Sequence, residues 1–337
     1  MQNGILVAGS TFVDHYKFID NYPKLGMLEQ IKYIDKTVGG LVSNTGISLK
    51  NISKDLRVGA FGGIGQDEDG DFLKDTLVTN GIDISQLVEF SEQKTGFTDA
   101  MTLEATGERT FFSHEGANTI LDASHLNFDQ LDYDIAHFGY ILLMRQFDKP
   151  NEQYGTELAK VLCRLQEQGI KTSIDLVSNE SPHFKATVHP ALKYCNYVII
   201  NEIEAELITD LSPLDPDTDQ INNDRIQNIM QRIFELGVQD LIVIHSPAGG
   251  WAMDRDGNFY HRKSFDLPPG YIKSSVGAGD AFCAGVLYGI YKQFDINHML
   301  DFANATAAMS LSEKDSASGI QPEEEIVAFI NKQGKER

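Results

Sequence analysis

Six short apolar runs recur along this chain with segments of helical pattern between them: Ile5–Ala8, Val58–Phe61, Ile135–Phe138, Thr172–Asp175, Tyr197–Asn201 and Leu241–His245. Runs whose apolar residues are not confined to every second position suit strands buried on both faces, which is what a parallel sheet covered by helices requires. Helical patterning falls at Val42–Asn51, Gly70–Asn80, Asn151–Gln168, Asp224–Leu236, Ala281–Tyr291, Ile296–Ser312 and Glu323–Lys332. The expected fold is therefore α/β, three layers with a mostly parallel central sheet. Two regions, 14–38 and 98–112, break the alternation and read as exposed strands, the second turning near Thr106-Gly107. They are expected to form one small β-sheet at the strand ends of the core, placed as a lid over a ligand cleft. Residues 1–332 read as a single domain, 211–224 as a surface loop and 333–337 as a frayed tail.

The balance of 28 Lys plus Arg against 49 Asp plus Glu gives a net charge of −21, with no dense basic run, and argues against nucleic acid as a partner. Acidity does not argue against phosphate ligands, because helix N-termini and Mg²⁺ hold them without many basic side chains. The three cysteines, Cys163, Cys195 and Cys283, show neither disulfide nor metal-ligand spacing and are read as reduced, in a cytoplasmic protein. The N-terminal apolar run is too short for a signal peptide or a membrane span.

Chemistry concentrates at Gly277-Ala278-Gly279-Asp280-Ala281-Phe282. Glycines let the backbone approach an anion, the free N–H groups of a helix's first turn would point at it, and a carboxylate there can accept a proton from an attacking hydroxyl. Asp14, just after the first strand, and Asn44, one turn beyond Gly39-Gly40, suit the hydroxyls of a polyol. Asn201 and Glu204 stand at a strand end and in the first turn of the following helix. His137, at the end of an apolar strand, reads as a satisfied core residue, and His114 as a residue near the lid.

These motifs occur in an order that resembles the PfkB family of ribokinase-like sugar kinases. The matching residues are Gly39-Gly40 with Asn44, Gly62-Gly63-Ile64-Gly65-Gln66-Asp67 with Gly70, Gly116-Ala117-Asn118, Asn201-Glu202-Ile203-Glu204, and Gly277 to Phe282. The resemblance implies a ribokinase-like fold and ATP- and Mg²⁺-dependent phosphorylation of a small sugar, with Asp280 as general base and the N–H groups of Gly277, Ala278 and Gly279 as the anion hole. It implies sugar binding by Asp14, Gly39, Gly40, Asn44 and Asn118, and Mg²⁺ organised through water by Asn201 and Glu204. For the nucleotide it implies His245, Ser246, Gly250, Gly277, Gly279 and Asn304, although His245 and Pro247 depart from the usual pattern. Ser274 stands where relatives that bind K⁺ carry an aspartate, so K⁺ activation is expected to be weak or absent. Edge strands of such lids pair between subunits, which implies a homodimer. A nucleoside kinase, a phosphosugar kinase using Arg109 or Arg145, and a non-catalytic sugar- or nucleotide-binding protein are the alternatives. Phe97 and Phe111 would either stack on the ligand or form the lid's own core.

Overall fold

The run Ile5–Gly9 is buried at every residue and lies in the middle of the molecule in a computed structural model that describes residues 3–333. In chain order the strands are β1 (Ile5–Gly9), β2 (Phe12–Ile19), β3 (Tyr33–Gly39), β4 (Val58–Gly65), β5 (Asp83–Phe90), β6 (Phe97–Leu103), β7 (Arg109–His114), β8 (Ile135–Ile141), β9 (Pro150–Asn151), β10 (Gly155–Thr156), β11 (Lys171–Leu176), β12 (Tyr197–Asn201), β13 (Leu241–Ser246), β14 (Gly249–Asp254) and β15 (Phe259–Lys263). The helices are α1 (Gly40–Ile52), α2 (Glu68–Thr79), α3 (Glu157–Glu167), α4 (Phe184–Leu192), α5 (Glu202–Thr209), α6 (Asn223–Glu235), α7 (Ala278–Tyr291), α8 (Ile296–Ser310) and α9 (Glu323–Gln333).

Nine strands form the central sheet in the order β15-β14-β13-β12-β11-β8-β1-β4-β5. Pairing is parallel from β13 through β5 and antiparallel in the β13-β14-β15 edge. One apolar cluster packs α3 to α6 on one face, and a second packs α1, α2, α7, α8 and α9 on the other, giving three layers. Helix α7 is buried from Asp280 to Gly289 because it is wedged between α1 and α8. That explains its near-uniform apolar composition.

The expected small sheet forms, in the order β3-β2-β6-β7. Its two hairpins are antiparallel, but the seam between β2 and β6 is parallel, from Val13 opposite Phe97 to Ile19 opposite Leu103.

Several elements differ from the sequence reading. The segment expected to be helical from Asn151 starts its helix at Glu157, because the Thr156 hydroxyl caps it by accepting from the Ala159 N–H at 3.2 Å and the residues before it form the β9-β10 turn. Strands β5, β14 and β15 and helix α4, which carries Pro190, were not in that reading. The 211–224 loop contains a bridge between Leu214 and Ile221. Gln333 ends α9, and the remainder of the expected frayed tail lies outside the described residues. Among the described residues no helix is long and apolar enough to cross a membrane.

Candidate active site

Helix α7 begins where Gly277 adopts a left-handed conformation, φ 76°. A Cβ there would lie 2.2 Å from Ser316 Cβ, so backbone and crowding both demand glycine. Asp280, in the first turn, is 7% exposed and both its oxygens are engaged. The Tyr140 hydroxyl donates to Oδ1 at 2.7 Å and the Asn44 amide to Oδ2 at 3.0 Å. Ser316 Oγ donates to Asn44 Oδ1 at 2.7 Å, which turns the NH₂ of that amide toward the carboxylate. Burial pushes the Asp280 pKa up to about 6, against the lowering effect of the Tyr140 and Asn44 donors. The group is thus ionised at neutral pH yet basic enough to take a proton.

The expected acceptor residues gather along the turn from β3 into α1. Asp14, in β2, has its pKa raised to about 6 by burial, opposed by a hydrogen bond with Thr98. Gly39 lies so close that a Cβ would stand 2.6 Å from Asp14 Oδ2. Gly40, at φ 79°, opens α1 and carries Asn44 one turn onward to Asp280. Asn118 departs from expectation: its Oδ1 accepts from the Thr11 N–H at 3.0 Å, and its Nδ2 donates to the Thr11 and Glu115 carbonyls at 2.8 and 2.9 Å. With its amide committed to backbone, it braces the β1-β2 corner instead of facing a ligand.

On the other side of the α7 N-terminus lies a cavity of about 590 Å³, bordered by His245 and Ser246 from β13, Ala278 and Gly279 from α7, and Asn304 and Leu311 at α8. The His245 ring sits 4.8 Å from that of Phe282. Burial lowers the His245 pKa to about 4, so the imidazole is neutral at physiological pH. Asn304 Nδ2 donates to the carbonyls of Arg262 and Lys263 at 3.1 and 3.3 Å, fixing its side chain at the cavity wall. Gly250 does not line this cavity. It pairs with His245 across the β13-β14 ladder, where a Cβ would meet Phe282 Cζ at 2.8 Å, so its size serves packing.

Asn201 and Glu204 form a reciprocal cap at the start of α5: the Glu204 N–H donates to Asn201 Oδ1 at 2.8 Å, and the Asn201 N–H to Glu204 Oε2 at 3.0 Å. Ser178 joins them, donating to Glu204 Oε1 at 3.0 Å and accepting from Asn201 Nδ2 at 2.9 Å. Burial raises the Glu204 pKa to about 7. Asp175, at the end of β11, is driven well above the usual carboxylate range by burial and then by the charges of Glu204 and Asp280. Glu204 and Asp280 thus both act on Asp175, and the three carboxyls make an acidic floor beside the α7 N-terminus.

Tyr140, Asp175, Ser178 and Ser316 were not among the residues picked from sequence. Asp175 carried a signal, an acid set between Ile174 and Leu176 at the end of an expected strand. Tyr140 and Ser316 carried none, since they reach Asp280 and Asn44 only through the fold. His137 is wholly buried, with Nδ1 2.9 Å from Ser173 Oγ and Nε2 3.4 Å from Cys283 Sγ, a satisfied core residue. His114 ends β7, with its ring 5.4 Å from that of Phe97.

A doubly covered parallel sheet, a small strand-built appendage and an acid at a glycine-opened helix N-terminus define a kinase-type α/β architecture, and comparison with known proteins makes this specific. The family model described as pfkB family carbohydrate kinase matches residues 2–323, and the chain belongs to that family. The 5-dehydro-2-deoxygluconokinase of Clostridium perfringens is 25% identical over 319 residues, covering 92% of this chain and 88% of that protein. Among solved structures, Arabidopsis thaliana ribokinase complexed with ribose and ATP superposes with a TM-score of 0.80 at 17% identity, over 98% of this chain and 99% of that one. A ribokinase II from E. coli in complex with ATP and Mg²⁺ gives 0.76 at 18% identity, over 98% and 99%. The protein is a carbohydrate kinase with the ribokinase-like fold.

Proposed function

We propose that this enzyme transfers the γ-phosphoryl group of ATP, in the presence of Mg²⁺, to an exocyclic hydroxyl of a small sugar or sugar-like polyol, with Asp280 as general base. The observation that carries the reading is the position of Asp280 at the head of α7. The cavity of about 590 Å³ lies on one side of it, and the Asp14, Gly39, Gly40 and Asn44 cluster on the other. Asp280 takes the acceptor's proton as the new oxygen–phosphorus bond forms. The bond from the γ-phosphorus to the bridging oxygen breaks, and its electron pair leaves with ADP. The N–H groups of Gly277, Ala278 and Gly279 hold the charge on the transferring group.

The acidic floor fits a hard divalent cation, which would favour the ionised carboxylates. Its donors are oxygens, and the charges that act on Asp175 are those of Glu204 and Asp280, a repulsion that a cation relieves. Asn201 and Glu204 would hold Mg²⁺ through water, and when bound it neutralises phosphate charge. His245, Ser246, Gly279 and Asn304 would line the nucleotide. The names of the relatives carry a deoxyketo-sugar acid and ribose as acceptors, and both belong in the test set.

The small sheet would act as the lid. Its edge strands β3 and β7 expose Ile34, Phe111 and Phe112, each more than half accessible, which supports pairing between subunits into a homodimer. Free Cys163, Cys195 and Cys283 accord with work in the cytoplasm. The test is ADP production by the purified protein with Mg-ATP across pentoses, hexoses, ketoses, sugar acids, sugar phosphates and nucleosides, beside Asp280→Asn. Turnover on a neutral or acid sugar that the variant loses supports the reading. Turnover on nucleosides or phosphosugars alone moves the assignment to those classes, and sugar binding without nucleotide binding points to a non-catalytic protein.

A further inference from the structure

We infer that Tyr140 is a positioning residue for the reaction: its phenol holds Oδ1 of Asp280 so that Oδ2 is the oxygen that receives the acceptor's proton. The inference rests on the reading of Asp280 as general base and extends it to a residue outside the motif-bearing segments. Tyr140 comes from β8, whereas Asp280 opens α7, and the two meet at 2.7 Å.

The two carboxylate oxygens are not equivalent. Oδ1 accepts a short bond from a phenol, and Oδ2 a longer one, 3.0 Å, from the amide of Asn44. A stronger donor withdraws more charge from the oxygen it binds, leaving the other more basic. The phenol's direction is fixed, because burial and the charges of Asp280 and Asp175 push its pKa far above 10 and keep the proton on it. Ser316, in the segment between α8 and α9, fixes the Asn44 amide in turn, so side chains from β8, α1 and that segment set the carboxylate plane. Proton transfer to Oδ2 leaves the bond from Tyr140 to Oδ1 unbroken throughout, so no donor has to move during the step.

The groups that face Asp280 are Asn44 and Thr45 from α1, Tyr140 from β8, Asp175 from β11 with Glu204 of α5 behind it, and Cys283 on α7, whose thiol meets His137. Burial alone raises the Asp280 pKa, and the phenol heads the donors that oppose it, ahead of Asn44 and Thr45.

The test is Tyr140→Phe, which keeps the ring and removes one oxygen, read in two ways. In protein labelled with [γ-¹³C]aspartate, the Asp280 resonance is assigned by its loss in Asp280→Asn and titrated. The variant is expected to raise its midpoint by about one pH unit, the size expected for loss of a hydrogen bond to a charged group. With Mg-ATP and 5-dehydro-2-deoxygluconate, ribose or fructose, kcat is expected to fall about tenfold with KM for ATP unchanged and the acid limb displaced upward. An unmoved midpoint, with the thermal melt and ATP binding intact, overturns the inference. Tyr140→Leu provides the control for packing: a loss of stability there, with Tyr140→Phe behaving as wild type, would reduce Tyr140 to a structural residue. If Asp280→Asn stays active, the reading of Asp280 as base falls instead, while the NMR titration still reports on the contact.

Discussion

The side-chain amide of Asn44 donates to Asp280 Oδ2 at 3.0 Å although the two residues are 236 positions apart. This bond joins the glycine turn that ends β3 to the glycine turn that opens α7, so Asp280 and the Gly39-Gly40 turn are held in one frame. Asp280→Asn keeps the shape and removes the basic oxygen, and is expected to lower kcat by about 10²- to 10⁴-fold with little change in nucleotide affinity. Steady-state kinetics beside ATP calorimetry check it.

Because Asp280 must be ionised to accept a proton and has a pKa of about 6, kcat should fall as pH drops through about 6. The limb should follow a single ionisation if Asp280 alone governs it. A pH profile of kcat between 5 and 8 measures this.

Stability of the ligand-free protein should move the other way. Asp14, Asp280 and Glu204 have native pKa values raised to about 6, 6 and 7 by burial. A carboxyl whose pKa is higher folded than unfolded makes the native state bind more protons, so stability is lost as pH rises from the unfolded value near 4 through the folded one. Melting temperature should therefore decline between pH 5 and 7.5, and Mg-ATP should recover more of it at the upper end. Scanning calorimetry with and without Mg-ATP decides this.

Gly40→Ala should destabilise the fold by about 1–3 kcal/mol and weaken acceptor binding more than nucleotide binding. The added Cβ would lie 2.5 Å from the Ser10 carbonyl oxygen at a backbone φ of 79°. Urea denaturation and the two KM values separate these effects.

Glu204→Gln should raise the Mg²⁺ concentration needed for half-maximal rate while leaving the acceptor KM near wild type. The amide retains one acceptor for the cap at Asn201, so loss of stability should stay within about 1 kcal/mol. Magnesium titration of the rate and a thermal melt test both halves. Rates in Na⁺, K⁺ and choline buffers should agree, because Ser274 supplies no carboxylate.

The layers of the fold were legible because burial on both faces leaves an unbroken apolar run, as in β1 and β12, and because α7 and α8 carry long helical patterns. The edge hairpin of β14 and β15 was not, since β14 opens on two glycines and β15 ends on His261, Arg262 and Lys263. Asp256-Gly257 marks its turn, and the Asp254 carboxylate receives the N–H groups of Asp256 and Asn258. In the candidate site, Asp280, Asn44 and Glu204 were picked because each sits at a fixed offset from a glycine or a strand end, and the fold brings Asn44 to Asp280 and caps α5 with Asn201 and Glu204. Asn118 and Gly250 misled for the same reason: offset records position in the chain, whereas the commitment of an amide to Thr11 or the crowding of a ring against β14 appears only in three dimensions.

The parallel seam between β2 and β6 has a mechanical consequence. Both strands leave the body of the protein at one crossing, where the Val13 N–H meets the Gly96 carbonyl at 2.9 Å and Asn118 clasps Thr11. The sheet is tied to the body again at α2, where the Asp69 carboxylate meets His15 Nε2 at 3.1 Å and Lys36 Nζ at 2.6 Å, so Asp14 lies between two anchors while the hairpin ends near Gly26 and Gly107 lie at the far end of the strands. Any motion of the sheet about those anchors would move the far ends more than Asp14, which would keep its place beside Gly39.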